Sequence, residues 1–192
     1  MLDRVVVLAG GGARRMGSDK LSVELAGVRL LDRLLEGLAR LAPDVPVVAV
    51  GPTRPTSVPV HWVRERPAGG GPVAALACAL DDLSESALVA VLAGDQPFAA
   101  SAVPLLLSRL TPEVVGVVAV DAAGVRQPLL GLYRVGALQE ALTADGAGAR
   151  GRSMRSLLSG LTLAEVDVPA PCTLDVDTPD DLAAALRWVG QS

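Results

Sequence analysis

The run Val5 to Lys20, VVVLAGGGARRMGSDK, constrains this chain more than any other segment. Val5, Val6, Val7 and Leu8 form an apolar, β-branched stretch that stops at Gly10, Gly11 and Gly12. Arg14, Arg15, Gly17 and Lys20 follow. A buried strand that runs into backbone without side chains, and then into fixed positive charge, has the makings of a phosphate pocket. Glycines let backbone N–H groups approach anionic oxygens, and Arg and Lys neutralise the charge the amides leave.

What surrounds this run is an α/β pattern. Of the 192 residues, 51% are apolar and only 2% aromatic, so the core must come from Ala, Val and Leu. That suits a parallel sheet covered by Ala/Leu helices and argues against single-stranded nucleic acid, whose binding uses aromatic stacking platforms. The net charge of -4 points the same way. The basic residues are still grouped: Arg14, Arg15 and Lys20; Arg64 and Arg66; Arg150, Arg152 and Arg155. Local positive patches on an acidic protein suit small anionic ligands.

Strand and helix patterns alternate along the whole length. Leu30, Leu31, Leu34, Leu35, Leu38 and Leu41 recur at helical spacing within 28–41, and Pro43 closes that helix. Strands are expected at 47–50, 60–63, 87–93, 114–120, 129–133 and 161–168. Helices are expected at 73–83, opened by Pro72; at 101–110, capped by Ser101; and at 135–142, 153–158 and 179–189, the last capped by Asp177 or Thr178. Repeated βα units with buried strands predict a three-layer α/β/α, Rossmann-like domain over residues 1–192 with a mostly parallel sheet. Ligands of such sheets bind beyond the carboxyl ends of the strands. Gly10–Gly12, Gly69–Gly71 and Asp95 all fall at such ends.

The rest of the composition narrows the chemistry. Two cysteines give no disulfide framework: Cys78 reads as helix packing and Cys172 as incidental. No secretory pattern and no apolar run near about 18 residues occur, so a cytoplasmic protein with no membrane partner is expected. The single histidine, His61, lies in a predicted strand and reads as structural rather than as a general base. There is no His/Cys zinc spacing. A metal here would be hard and held by carboxylates, hence Mg²⁺.

The glycine loop fits neither common nucleotide fingerprint. Gly10-x-Gly12 is followed by Arg15 where a dinucleotide loop has Gly or Ala, and Ser18 stands where a P-loop requires Lys. A longer, more open loop remains, with Arg15 and Lys20 directed at phosphates. Asp95, in Gly-Asp-Gln-Pro after an all-apolar strand, either caps the next segment or binds a cation; its place on the rim beside a phosphate loop favours the cation. Asp175-Val176-Asp177 puts two carboxylates on one side of an extended segment, but with Asp180 and Asp181 behind it helix capping is the favoured reading.

Together LAGGGARRMGSDK, GGGPVAAL, GDQP, QPLLGLY and LDVDTPDDL occur in the order and spacing of the molybdenum cofactor guanylyltransferases, which the chain resembles from Val5 to about Trp188. The resemblance implies GMP transfer from Mg-GTP to the terminal phosphate of molybdopterin, with release of pyrophosphate. By position, Leu8, Ala9 and Gly10 would line the guanosine side, with Gly11 and Gly12 continuing the loop. Lys20 would bind the GTP phosphates, Arg15 supplies the arginine of the R-M-G signature, and Asp95 matches the magnesium ligand. Asp177 lies where relatives place a second metal or acceptor contact. Contacts with molybdoenzyme maturation proteins are a further expectation. The sequence departs from the pattern at Arg66, where an acidic residue is common, and at Gly51 or Pro52, where some members carry Asn. Both positions belong to nucleoside recognition, so cytidylyl transfer, another phosphorylated acceptor or a non-catalytic nucleotide-binding partner protein stay open as alternatives.

Overall fold

The computed structural model describes residues 1–10, 19–144, 146 and 148–190. The loop residues Gly11, Gly12 and Arg15 lie outside the described residues.

Seven strands form one sheet: β1 (Arg4–Leu8), β4 (Val47–Val50), β5 (His61–Val63), β6 (Leu88–Ala93), β7 (Gly116–Val120), β8 (Arg126–Arg134) and β9 (Leu163–Asp167). Their spatial order is β5-β4-β1-β6-β8-β7-β9. The β5, β4, β1 and β6 strands run parallel, as do β7 and β9, and β8 lies antiparallel between β6 and β7. The sheet is therefore mostly parallel, as the repeated βα pattern predicts.

Both faces of the sheet are covered, and alternation along β1 shows how. Val5 and Val7 join the core built with Leu31, Leu34, Leu35 and Leu38 of α1 (Leu30–Leu41) and Val103 and Leu106 of α3 (Val103–Ser108). Val6 and Leu8 point to the opposite core, with Val73 and Leu76 of α2 (Pro72–Cys78), Leu138 of α4 (Val135–Thr143) and Met154 and Leu157 of α5 (Met154–Leu158). A strand buried on both faces has to be apolar at every position, which is why Val5–Leu8 of β1 and the whole of β6 read as unbroken hydrophobic runs.

A third, smaller cluster matters most for the site. Leu25 and Leu30, Phe98, Val176 and Ala185 pack together, joined by Leu182 and Trp188. Leu25 belongs to a hairpin of β2 (Glu24–Leu25) and β3 (Val28–Arg29), and Ala185 to α6 (Pro179–Leu186). This cluster draws the segment after Lys20, the segment after Asp95 and the segment around Asp177 to one place.

Several boundaries differ from the sequence-based expectation. The hairpin stands where the start of a helix is expected; Ala26 and Gly27 turn it at φ 52° and 77°, the double positive φ of a tight two-residue turn. The α2 helix stops at Cys78 instead of running to Leu83. Ser101 caps no helix: it sits in a 3₁₀ turn, Ala99–Ala102, and its hydroxyl donates to the Phe98 carbonyl at 2.8 Å. The β8 strand is longer than expected, because a register shift opposite Val118 and Ala119 absorbs Pro128, which has no N–H to give the ladder. His61 lies exposed on the edge strand β5 rather than packed in the core, and Cys172 is buried, its sulfur 3.2 Å from the Ser101 hydroxyl.

Candidate active site

The floor of the site is the carboxyl rim of the sheet, where backbone pairing continues past the strand ends. Ala9 N–H donates to the Val50 carbonyl at 2.9 Å, Gly94 N–H to Leu8 at 3.0 Å and Gly51 N–H to Val63 at 3.0 Å. Ala9 is buried and Gly10 emerges into solvent. Gly51 is pressed against this exit: its φ is 151°, and a Cβ there would lie 2.6 Å from the Ala9 carbonyl oxygen and 2.8 Å from the Gly10 nitrogen. Only glycine fits at this approach.

Lys20 opens a single 3₁₀ turn, Lys20–Ser22, capped by Asp19. Its ammonium donates to Asp95 Oδ2 at 2.6 Å and to Asp177 Oδ1 at 2.5 Å. The Lys20 side chain is 9% exposed, whereas those of Asp95 and Asp177 are 28% and 65% exposed. A buried cation thus faces two carboxylates that open toward solvent. The Val176 N–H donates to the Asp95 carbonyl at 3.2 Å, which ties the two acidic segments together directly. Loss of hydration works against the charged ammonium, but the bonds from Asp177 and Asp95 outweigh it and raise the Lys20 pKa above the ordinary lysine value. Lys20 is fully charged throughout the neutral range.

Whether Asp177 caps the last helix is settled by Thr178. Its hydroxyl accepts from the Asp181 N–H, and the Asp181 carboxylate accepts from the Thr178 N–H at 2.8 Å, a complete capping box. Asp177 is thereby free to reach Lys20. Asp175 joins the acidic group: desolvation first, and the neighbouring Asp95 carboxylate second, push its carboxyl above the ordinary range, while a bond from Gln96 opposes the shift. Gln96 is buried, and its Oε1 has no partner among the described residues.

Lys20 is also the only lysine among the 17 lysine and arginine residues of the chain. Sequence reasoning reached this residue through its motif, and the count would have singled it out independently.

Two carboxylates within hydrogen-bond reach of one ammonium suit a small divalent cation. Mg²⁺ takes oxygens at about 2.1 Å and is commonly held by one or two carboxylates together with substrate phosphates. Among the described residues no group of three or more His, Cys, Asp or Glu is placed to hold a metal ion.

The other basic residues fall elsewhere. Arg64, Arg66 and Arg150 wall a groove of about 530 Å³ along α2, with Ala74, Ala77 and the half-buried Cys78 in its floor. Arg66 is exposed there and is not joined to the Lys20 cluster by any contact among the described residues. Arg152 donates to the Ala141 carbonyl at 2.8 Å and so ties α4 to the following loop. Gly71, at φ 90°, precedes α2, and the Gly70 carbonyl accepts from the Gly151 N–H at 2.7 Å.

Sequence reasoning missed Arg54. Its guanidinium donates to both oxygens of Asp19, to the Ala9 carbonyl at 2.9 Å and to the Pro52 carbonyl at 2.9 Å, and it lies 6.0 Å from the centre of the Trp62 ring. This pairing holds the Asp19 carboxyl below its usual range. A depressed folded pKa stabilises above the unfolded value, about 3.9, and the effect is lost as pH falls through the folded one. The melting-temperature difference between wild type and Asp19→Asn is therefore expected to be constant from pH 5 to 8 and to shrink below about pH 4. Thermal unfolding across that range checks it.

Lys20, Asp95 and Asp177 thus meet at the carboxyl rim of a mostly parallel sheet. The family model of the MobA-like NTP transferase domain matches residues 5–168, and the chain belongs to that family. The molybdenum cofactor guanylyltransferase of Rhizobium johnstonii is 32% identical over 196 residues, covering 96% of this chain and 91% of that protein. That of Rhodobacter capsulatus is 32% identical over 192 residues, covering 94% and 93%. Among solved structures, molybdopterin-guanine dinucleotide biosynthesis protein A from Archaeoglobus fulgidus superposes with a TM-score of 0.69 at 22% identity, covering 98% of this chain and all of that one. The 2-C-methyl-D-erythritol 4-phosphate cytidylyltransferase of Francisella tularensis reaches 0.72 at 16% identity over 98% and 99%; both likenesses are of fold. No helix among the described residues is long and apolar enough to cross a membrane.

Proposed function

We propose that the protein transfers GMP from Mg-GTP to the terminal phosphate of molybdopterin and releases pyrophosphate. The observation that carries this reading is the Lys20 ammonium held between Asp95 and Asp177 at the carboxyl rim, beside the turn that leaves β1. The two guanylyltransferase relatives, matched over more than nine-tenths of their length, support the choice of donor and acceptor.

The acceptor needs little activation. A phosphomonoester has a second pKa near 6 and is mostly a dianion at neutral pH, so its oxygen attacks without a general base. That accords with an only histidine lying exposed on the edge strand. One acceptor oxygen bonds to the α-phosphorus while the bond from that phosphorus to the β-bridging oxygen breaks, and the electron pair leaves with pyrophosphate. Catalysis is then positioning together with neutralisation of charge that builds up on the phosphates. Asp95 and Asp177 would hold Mg²⁺, which supplies charge neutralisation at the triphosphate. Lys20 exchanges its two carboxylates for a phosphate oxygen when the nucleotide arrives, which leaves those carboxylates to the metal. Leu8, Ala9, Gly10 and Gly51 shape the backbone against the nucleoside, and Arg15 is assigned to the same nucleotide by position, whereas Arg66 lines the separate groove along α2.

The test is direct. Purified protein with Mg²⁺, molybdopterin and either GTP or CTP should release pyrophosphate and form the guanine dinucleotide with GTP. A preference for CTP would overturn the guanylyl reading, and release with neither would overturn the transferase reading for this acceptor.

A further inference from the structure

We propose that Arg54 is a positioning residue for Lys20: through Asp19 it fixes where the catalytic ammonium enters the site. The guanidinium binds four separate parts of the rim at once. Its Nε and one Nη engage Asp19, the residue that caps the turn carrying Lys20, and its other Nη bonds the carbonyls of Ala9 at the exit from β1 and Pro52 beyond β4. Its plane sits over Trp62 of β5. The Arg54 side chain is only 14% exposed and its bond to the Ala9 carbonyl is half-buried, while the Asp19 carboxylate it grips is 41% exposed, so the anchor is the fixed fork with its several partners rather than a desolvated ion pair.

Arg54 is in turn held from behind. Arg29 donates to the Pro55 carbonyl at 2.9 Å, and the Ser57 N–H donates to the buried Asp32 carboxylate at 2.8 Å, so the start of α1 pins the loop that carries Arg54. Asp19 passes the constraint on. It accepts from the Ser22 hydroxyl at 3.3 Å across the turn, and the Val23 N–H closes that turn on the Lys20 carbonyl at 3.1 Å. The turn is three residues long and has little of its own to fix it. A planar donor with a fixed fork suits this role, and a lysine could not reproduce it.

Because Lys20 is the only lysine, an amine-reactive reagent followed by peptide mass spectrometry reports on it alone, apart from the amino terminus. Arg54→Gln and Asp19→Asn are each expected to speed Lys20 labelling about tenfold or more, the scale set by losing a charged hydrogen bond. The double variant should be no faster than either single one, because the two residues act as a unit. Leu158→Ala, a core truncation on the opposite face of the sheet, serves as a control of matched melting temperature and should leave labelling unchanged. Arg54→Lys should raise KM for Mg-GTP more than it lowers kcat and should not restore the wild-type value. Unchanged labelling in Arg54→Gln, or additive effects in the double variant, would overturn the proposal. The KM prediction rests on the reaction proposed above, whereas the labelling does not, so a failure of that reading would show as wild-type protection without pyrophosphate release.

Discussion

Exchange of Asp95 for Asn should slow pyrophosphate release about a thousandfold or more while the melting temperature moves by only a few degrees. The two halves of this expectation have different origins. The amide keeps the shape of the side chain but removes half of the negative charge that faces Lys20, and with it the stronger affinity for a divalent cation. A single well-placed electrostatic group contributes about 10²–10³ in rate, and a lost metal ligand adds to that. Stability suffers less because Lys20 keeps its 2.5 Å bond to Asp177, so the buried ammonium is not left unpaired. Steady-state release of pyrophosphate and a thermal melt check both. A folded Asp95→Asn protein with wild-type turnover would remove Asp95 from the chemistry.

Gly51→Ala is expected to damage fold and binding together. The new methyl would lie 2.6 Å from the Ala9 carbonyl oxygen and 2.7 Å from its carbon, backbone atoms that a rotamer change cannot move. It would also have to be accommodated at φ 151°, where side chains are rarely found. Strain at one such position costs about 1–3 kcal/mol, and the backbone overlap adds to it, so a loss of about 3 kcal/mol or more is expected. For a chain of this size that is a fall of about 10 °C in Tm. The relief must come from pushing Ala9 and Gly10 away from β4, so KM for Mg-GTP should rise as well. Calorimetry and a KM measurement test the pair, and a variant with both values unchanged would show that the exit from β1 is not held by this contact.

Much of this site could be read from the chain because its parts announce themselves locally. An all-apolar strand ending in glycine, as at Leu8 to Gly10 and at Ala93 to Gly94, marks a sheet rim whatever lies around it. Lys20 and Asp95 follow such strands, so the parallel topology was enough to bring them near one another. Asp177 was harder. Residues 175–181 offer several carboxylates and a threonine to one helix start, and local rules cannot decide which of them caps it. The decision comes from Leu25, Phe98, Val176 and Ala185, which bring three distant parts of the sequence together and set Asp177 beside Lys20. Arg54 was invisible for a similar reason. It sits among Pro52, Pro55 and Pro59 in what reads as a plain loop, and its partners at Ala9 and Asp19 are 45 and 35 residues away. The β2–β3 hairpin was masked by the leucines that follow it, whose helical spacing extends back over Val28.

Lys20 must leave its two carboxylates for the nucleotide in the proposed reaction, and its being the only lysine makes this measurable by one nuclear magnetic resonance signal. Protein carrying ¹⁵N-lysine should show a single side-chain ammonium resonance that shifts on addition of Mg²⁺ with GTP. The shift should be lost in Asp95→Asn, where the metal is no longer held beside the triphosphate. A Lys20 resonance that stays in place while the wild-type enzyme turns over Mg-GTP would contradict the account.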